Sequence, residues 1–255
     1  MTPPTPDLVA RLRAAGCVYA EDEAELLTAA ADGPDLERLV TRRVAGEPLE
    51  QVLGWVDFAG LRLAVGPGAF VPRRRSELLV RAARGGLLPG DRVVELCCGV
   101  AAVSAALLDA EPCLDLTASD IDPSPLVWAR DNIAGRGIVR RGDLYSAVPA
   151  SWRRSVAVIV ANAPYVPTAE VGHMPSEARD HEPLVALDGG EDGLDPARRI
   201  AHEASEWLTP GGRVIIETSQ RQSELLTRIM HRAGLVAEIL RDDELDATAV
   251  VGRAG

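Results

Sequence analysis

Lysine is absent from this chain: all 27 basic residues are arginine. This reads as compositional bias, with arginine taking surface roles that lysine ordinarily shares, and no function attaches to it. Basic charge is also outweighed, 38 acids leaving a formal net charge of −11. That disfavours a broad phosphate-binding face, since duplex binding draws much of its affinity from basic contacts, and nucleic acid is not an expected partner. The densest basic run, Arg73–Arg75, reads as solvated surface. The opening MTPPTPDLV has no basic segment followed by an apolar run, so no secretory signal is expected. No apolar stretch approaches the roughly 20 residues that a membrane span requires, so no membrane partner is expected. The cysteines Cys17, Cys97, Cys98 and Cys113 form no CxxC pair and have no histidine cluster nearby. That argues against structural zinc and against a disulfide framework; no metal is expected, and the expected compartment is the cytoplasm.

What is present describes a globular protein. With 255 residues, 47% of them hydrophobic and 25% charged, the chain can bury one large core and carry a small appendage. Helical spacing predicts three short helices over Asp7–Ala15, Glu21–Ala31 and Pro34–Ala45, burying Leu8, Leu12 and Ala15, then Leu26 and Leu27. The period then changes. Trp55, Phe58, Leu61, Leu63 and Val65 around Ala59-Gly60 predict a β-hairpin, and FVPRRRSELLV leads into a helix with Ser76 at its N-cap. From Arg92 strands and helices alternate: RVVEL, LDLTASD, GIVRRGD, VAVIVAN and GGRVIIETS are strands, with LVAEILR and ATAVVGR closing one edge antiparallel. Repetition of this kind means an α/β fold with a parallel sheet covered on both faces. The expected units are a helical cap over 1–48, a hairpin linker over 49–74 and a main domain over 75–255.

Ligands of such sheets bind outside the carboxyl ends of the strands, and several strand tips carry chemistry. VIVANAPYVP runs a buried strand into Asn162, Ala163, Pro164 and Tyr165. Pro164 stops the ladder. The Asn162 side-chain carbonyl and a carbonyl of the bent backbone can together accept both hydrogens of a planar NH2 group, with Tyr165 packed on its flat face. Taken alone, the same residues also make an ordinary strand-to-loop turn. Glu95-Leu96-Cys97-Cys98-Gly99-Val100-Ala101 ends a strand and opens a helix, where small residues let backbone approach a ligand. With one glycine it is no dinucleotide fingerprint. Cys97 and Cys98 read as small packing residues. Asp120 closes the next strand, where an acid can accept from both ribose hydroxyls; Asp143-Leu144 follows the third, where an acid can meet an adenine amine. Asp122 reads as a helix cap. Acids at consecutive strand tips beside a small-residue turn point to an adenosyl ligand.

These residues carry a resemblance. The chain resembles the HemK/PrmC family of S-adenosylmethionine-dependent protein N5-glutamine methyltransferases over nearly its whole length after residue 42. GEPLEQVLGWVDFAG and FVPRRRSELLV match its linker, hairpin and Pro-Arg segment; ANAPYVP stands at its Asn-Pro-Pro-Tyr motif; MPSEARDHEPLVALDGGEDGLD matches a segment more specific to the family. The resemblance implies a Rossmann-like, seven-stranded class I methyltransferase sheet, with S-adenosyl-L-methionine as cofactor. It implies methyl transfer to a glutamine side-chain amide of a protein, a peptide-chain release factor among the substrates. It also implies roles. Asn162, Ala163, Pro164 and Tyr165 hold the substrate amide, Asn162 and Tyr165 at the reacting group, and Phe70 walls the pocket. Cys97, Cys98, Gly99, Val100 and Ala101 line the methionine part of the cofactor, Asp120 binds ribose, Asp143 and Leu144 border adenine, and Glu95, Ile121 and Asn162 complete the cofactor site.

The chain departs from the pattern in places. Ala163 replaces the first proline, loosening the substrate loop; Ala101 replaces the last glycine of the cofactor turn, narrowing the space near the carboxylate; Arg74 and Arg75 stand where the family has Pro and Glu; the helical cap is short. The expected member is a divergent paralogue. Two other readings stay open: an amino-methyltransferase for a small-molecule amide or nucleic-acid base, and a cofactor-binding protein that has lost catalysis. Because the amide lone pair is delocalised and no base is obvious, catalysis is expected to rest on alignment.

Overall fold

The computed structural model describes residues 5–255. The first four residues of the stretch read as carrying no signal lie outside the described residues. Helix α1 (Pro6–Ala14) starts where the Thr5 hydroxyl accepts from the Leu8 N–H, with proline in its first turn. With α2 (Ala20–Ala30), α3 (Gly33–Val44) and the single turn α4 (Leu49–Leu53), it encloses its own cluster of Leu8, Leu12, Ala20, Ala24, Leu27, Val40 and Val52. Two of the expected core positions are outside it. Ala15 is the exposed C-cap of α1, and Leu26 is 38% exposed because Ala24 and Leu27, not Leu26, face α1 and α3. Strands β1 (Trp55–Phe58) and β2 (Leu61–Ala64) form the antiparallel hairpin. Its turn puts Ala59 and Gly60 at φ +51° and +81°, the pair of positive angles whose twist suits a two-residue hairpin.

After α5 (Glu77–Arg84) the main sheet is built from β3 (Arg92–Leu96), β4 (Asp115–Asp120), β5 (Ile138–Arg141), β6 (Val156–Ala161), β7 (Leu208–Glu217), β8 (Val236–Asp242) and β9 (Ala247–Arg253). Their spatial order is β5-β4-β3-β6-β7-β9-β8. The first five run parallel, and β9 lies antiparallel between β7 and β8, closing one edge as expected. Helices α6 (Ala102–Ala110), α7 (Leu126–Ile133), α8 (Ser176–His181), α9 (Asp195–Trp207) and α10 (Ser223–Arg232) occupy the connections. Successive residues of β3 point to opposite faces, so Val93 joins one core cluster with Leu107, Leu116 and Val158, while Val94 joins another with Ile159, Ile200 and Leu226. Burial on both faces explains why β6, VAVIVA, is a continuous apolar run. The connection order reverses between β3 and β6, which places a crevice over their carboxyl ends. Among the described residues, no helix is long and apolar enough to cross a membrane.

Candidate active site

A cavity of about 660 Å³ lies over those strand ends. Fourteen of the fifteen residues expected at the site line it: Phe70, Glu95, Cys97, Cys98, Gly99, Val100, Asp120, Ile121, Asp143, Leu144 and Asn162 through Tyr165. The exception is Ala101, which is fully buried in the core at φ +58° and does not narrow the cavity. Its N–H donates to the Cys98 carbonyl at 2.7 Å, so residue 101 closes the turn from behind.

The wall of the cavity over β3 and β4 is pinned by acids. Glu95, 4% exposed at the end of β3, accepts from the Ser104 N–H at 2.8 Å and from the Ser104 hydroxyl, tying the first turn of α6 to the strand. Burial pushes its carboxyl up to about 7, opposed by those Ser104 donors. Asp120 Oδ2 accepts from the Gly99 N–H at 2.8 Å and Oδ1 from the Asp122 N–H at 2.9 Å. Burial raises this carboxyl too, the two N–H donors opposing it. Each oxygen keeps a further lone pair, so Asp120 can hold the turn and still accept from a diol. Asp122 does not cap α7: its Oδ1 accepts from the Ser124 N–H, closing a local turn before the helix, which starts without a side-chain cap. Asp143 pairs with Arg199 of α9 at 2.7 Å. Burial lifts the Cys97 and Cys98 thiols well above their ordinary range, leaving them uncharged packing groups. A Cβ added at Gly99 would meet nothing within 4 Å, so space opens directly over the turn. The size of the cavity, its small-residue turn and acids at three strand tips fit a nucleoside-bearing cofactor.

Another part of the cavity wall begins where β6 ends. Asn162 Nδ2 donates to the Ser76 hydroxyl oxygen at 3.2 Å, while Oδ1 has no hydrogen-bond partner among the described residues. The carbonyls of Ala163 and Pro164 are equally unpaired there. The Tyr165 hydroxyl donates to Glu217 Oε1 at 3.4 Å, and burial beside Glu217 pushes the phenol up to about 12. The loop's shape is imposed from behind by 188–193. The Val166 N–H donates to the Leu187 carbonyl at 3.0 Å and the Gly189 N–H to the Val166 carbonyl at 2.8 Å. A Cβ at Gly189 would stand 2.6 Å from the Pro164 carbonyl oxygen, and one at Gly193 would collide with that of Tyr165. Gln222 Nε2 donates to the carbonyls of Tyr165 and Asp192, each at 2.9 Å.

Two readings of the Pro-Arg segment need correction. Ser76 makes no capping bond to α5; its hydroxyl serves Asn162 instead. The run Arg73–Arg75 is not simply solvated, because two of its members pair with buried acids. Arg73 pairs at 2.5 Å with Glu182, whose side chain is completely buried, and lies over the Phe70 ring. Arg75 pairs with Glu217 at 3.3 Å and lies over Tyr165. Glu217 was missed altogether, although an acid ending the run VIIE gave the same signal as Asp120. Leu184 and Val185, 59% and 46% exposed, add an apolar rim.

No protein-family model matches the chain. Curated relatives do. A release factor glutamine methyltransferase of Streptomyces coelicolor is 39% identical over 189 residues, covering 72% of this chain and 67% of the relative. That of Bradyrhizobium diazoefficiens is 32% identical over 256 residues, covering 91% and 86%. Among solved structures, a methyltransferase from Pyrococcus furiosus superposes with a TM-score of 0.57 at 18% identity, over 77% of this chain and 90% of that one, and so shares the fold.

Proposed function

The chain belongs to the release factor glutamine methyltransferase (HemK/PrmC) family, and on that premise we propose that its cavity methylates the side-chain amide of a glutamine in a peptide-chain release factor. The observation that supports this most directly is the set of unpaired acceptors at the tip of β6, Asn162 Oδ1 and the carbonyls of Ala163 and Pro164, opening on the acid-lined turn that ends β3. A primary amide offers two N–H donors in one plane, and this loop offers acceptors without competing donors.

The cofactor is S-adenosylmethionine, which when bound supplies an electrophilic methyl group. Asp120 would hold its ribose, Asp143 and Leu144 its adenine, and residues 97–100 its methionine portion. The protein's contribution is alignment. A general base is not needed before the methyl moves, and the groups nearby are poorly suited: Tyr165 is held protonated, the thiols are neutral, and Glu95 is committed to Ser104. Fixing the amide with its nitrogen toward the cofactor side supplies up to about 7–11 kcal/mol of the barrier. Carbonyl oxygens aimed at that nitrogen also favour the positive charge that develops on it. Leu184 and Val185 at the rim suit the backbone of an inserted loop. A net charge of −11 counts against a nucleic-acid base as substrate.

The test is incubation with S-adenosylmethionine and a purified bacterial release factor, followed by peptide mass spectrometry. Expected is one added methyl on the glutamine of its Gly-Gly-Gln loop, lost in Asn162→Ala while cofactor affinity is kept. A wild-type protein that binds the cofactor and leaves that glutamine unmodified overturns the reading.

A further inference from the structure

One half-buried side chain on α7 holds two separate stretches of backbone. Asn132 Oδ1 accepts from the Ala64 N–H at 2.7 Å, and Nδ2 donates to the Ala64 carbonyl at 3.0 Å and to the Val100 carbonyl at 2.9 Å. The first two bonds are the pair that the peptide of a neighbouring strand would make with the end of β2. The third crosses to the turn between β3 and α6. Both amide hydrogens are used, and turning the amide over would set its oxygen against two carbonyls and its nitrogen against an N–H. Its partners therefore fix its orientation.

The two stretches lead to different walls of one cavity. Val100 lines it, and among the described residues the Val100 carbonyl has no other hydrogen-bond donor. Asp120 grips this turn from β4, through the Gly99 N–H; Asn132 grips it from α7. At Ala64 begins the segment that brings Phe70 into the cavity wall. It lies flush on α7, since a Cβ at Gly66 would stand 2.5 Å from the Trp128 ring. Its far end is tied where Gln51 Nε2 donates to the Ala69 carbonyl at 2.8 Å and the Val71 N–H donates to Glu182 at 3.1 Å. Asn132 itself does not line the cavity.

We propose that Asn132 is a positioning residue: its amide holds the turn of residues 97–101 in the shape that receives the cofactor and sets the Phe70 segment at a fixed spacing from it. The turn needs the support. Cys97 and Ala101 hold left-handed angles at φ +53° and +58°, which costs energy at residues other than glycine. A turn released at Val100 spends part of its time in other shapes, and apparent affinity falls with the fraction that stays competent. The inference rests on the reading of residues 97–100 as part of the cofactor site for its binding arm, and on the protein alone for its exchange arm.

The experiment compares wild type, Asn132→Ala and Asn132→Asp at mildly alkaline pH, with Asp120→Ala as the control for the cofactor site. By calorimetry on folded protein, Asn132→Ala should bind S-adenosylmethionine about two- to tenfold more weakly, the scale of one lost hydrogen bond. Asn132→Asp keeps the size and the acceptor for the Ala64 N–H, but turns a second carboxylate oxygen on the two carbonyls. It should bind at least as weakly as Asn132→Ala, whereas a side chain that only fills space would leave Asn132→Asp near wild type. In amide hydrogen exchange, read relative to the Ile159 N–H of the core strand β6, the Ala64 N–H should exchange faster in Asn132→Ala. The Ala101 N–H should do so as well, because the turn opens with it. Wild-type affinity in Asn132→Asp overturns the proposal where Asp120→Ala has weakened binding. Unchanged Ala101 exchange in Asn132→Ala also overturns it, leaving Asn132 a brace for the hairpin alone. If Asp120→Ala binds as tightly as wild type, the cofactor reading of this wall falls, and Ala101 exchange alone supports or overturns the positioning. Should one Asn132 variant fail to fold, affinity and Ala101 exchange in the other carry the same comparison.

Discussion

Glu95 makes stability depend on pH in an unusual direction. Its carboxyl is buried, and its ionised form is favoured chiefly by Ser104, with a smaller contribution from the Val103 N–H, so it titrates near 7 in the folded chain against about 4.5 when unfolded. Below the unfolded value both states hold the proton and nothing is lost. As pH rises the unfolded chain ionises first, the folded chain binds the extra proton, and stability falls until the folded carboxyl has also ionised. The full loss is about 3 kcal/mol, of which about 2 fall between pH 5.5 and pH 8.5. Asp120, Glu182 and Glu217 are raised by burial as well, so the wild-type curve alone does not isolate Glu95. Glu95→Gln does. Its amide oxygen can still accept from the Ser104 N–H, and it carries no titrating proton. Urea unfolding of both proteins across that range should show the variant gaining about 2 kcal/mol on wild type as pH rises, whatever their offset at the acid end. A gap that stays constant, or closes in the opposite direction, refutes the reasoning.

Asp120→Ala should weaken S-adenosylmethionine by about 1.5–3 kcal/mol, measured by calorimetry on protein shown to be folded; unchanged affinity would remove Asp120 from the ribose site. Gly193→Ala should cost at least about 2 kcal/mol of stability, since φ is +78° and the new Cβ collides with the Tyr165 carbonyl. Its surviving activity should fall further than stability alone explains, and normal kcat with normal Tm would contradict the clamp. Cys97→Gly and Ala101→Gly both relieve a left-handed residue, at φ +53° and +58°. Unfolding should find neither variant stabilised by the full relief of about 1–2 kcal/mol, because Ala101 gives up a fully buried methyl group and Cys97 a side chain packed against the core; a gain of that full size in either would contradict this.

The parts of the fold that could be read from the sequence are those whose cause is local. RVVEL and ATAVVGR were legible to the residue as strands, because apolar runs bounded by turn residues have few other uses, and the hairpin turn announced itself as Ala59-Gly60. The strand tips followed, since topology alone sends Glu95, Asp120 and Asn162 to one crevice. What stayed hidden depends on pairing across the chain. Ser76 had the spacing of a helix cap until Asn162 reached it, and Arg73 had the look of solvated charge until Glu182 met it from 109 positions away. Asp143 was visible as a candidate ligand residue, but its partner Arg199, 56 positions on, was not. Leu26 failed for a related reason: two adjacent leucines share one helical period, and only the packing of α1 and α3 chooses between them.

The turn over β3 shows how the two kinds of information combine. Cys97, Gly99 and Ala101 all take left-handed angles, at φ +53°, +52° and +58°, yet only one is glycine. Each of the other two costs on the order of 1–2 kcal/mol, enough to open an unsupported loop. The support is in the same acids that face the cavity. Asp120 grips the Gly99 N–H, Glu95 grips Ser104 at the start of α6, and the Ser119 carbonyl accepts from the Cys98 N–H at 2.9 Å. Hydrogen bonds of this kind contribute about 0.5–3 kcal/mol each, which together offsets the strain. The erosion of the glycine pattern therefore does not imply an eroded site. It shifts the burden of shaping the turn from backbone freedom to two carboxylates, so that in this chain acids that line the cavity are also the ones that hold the turn.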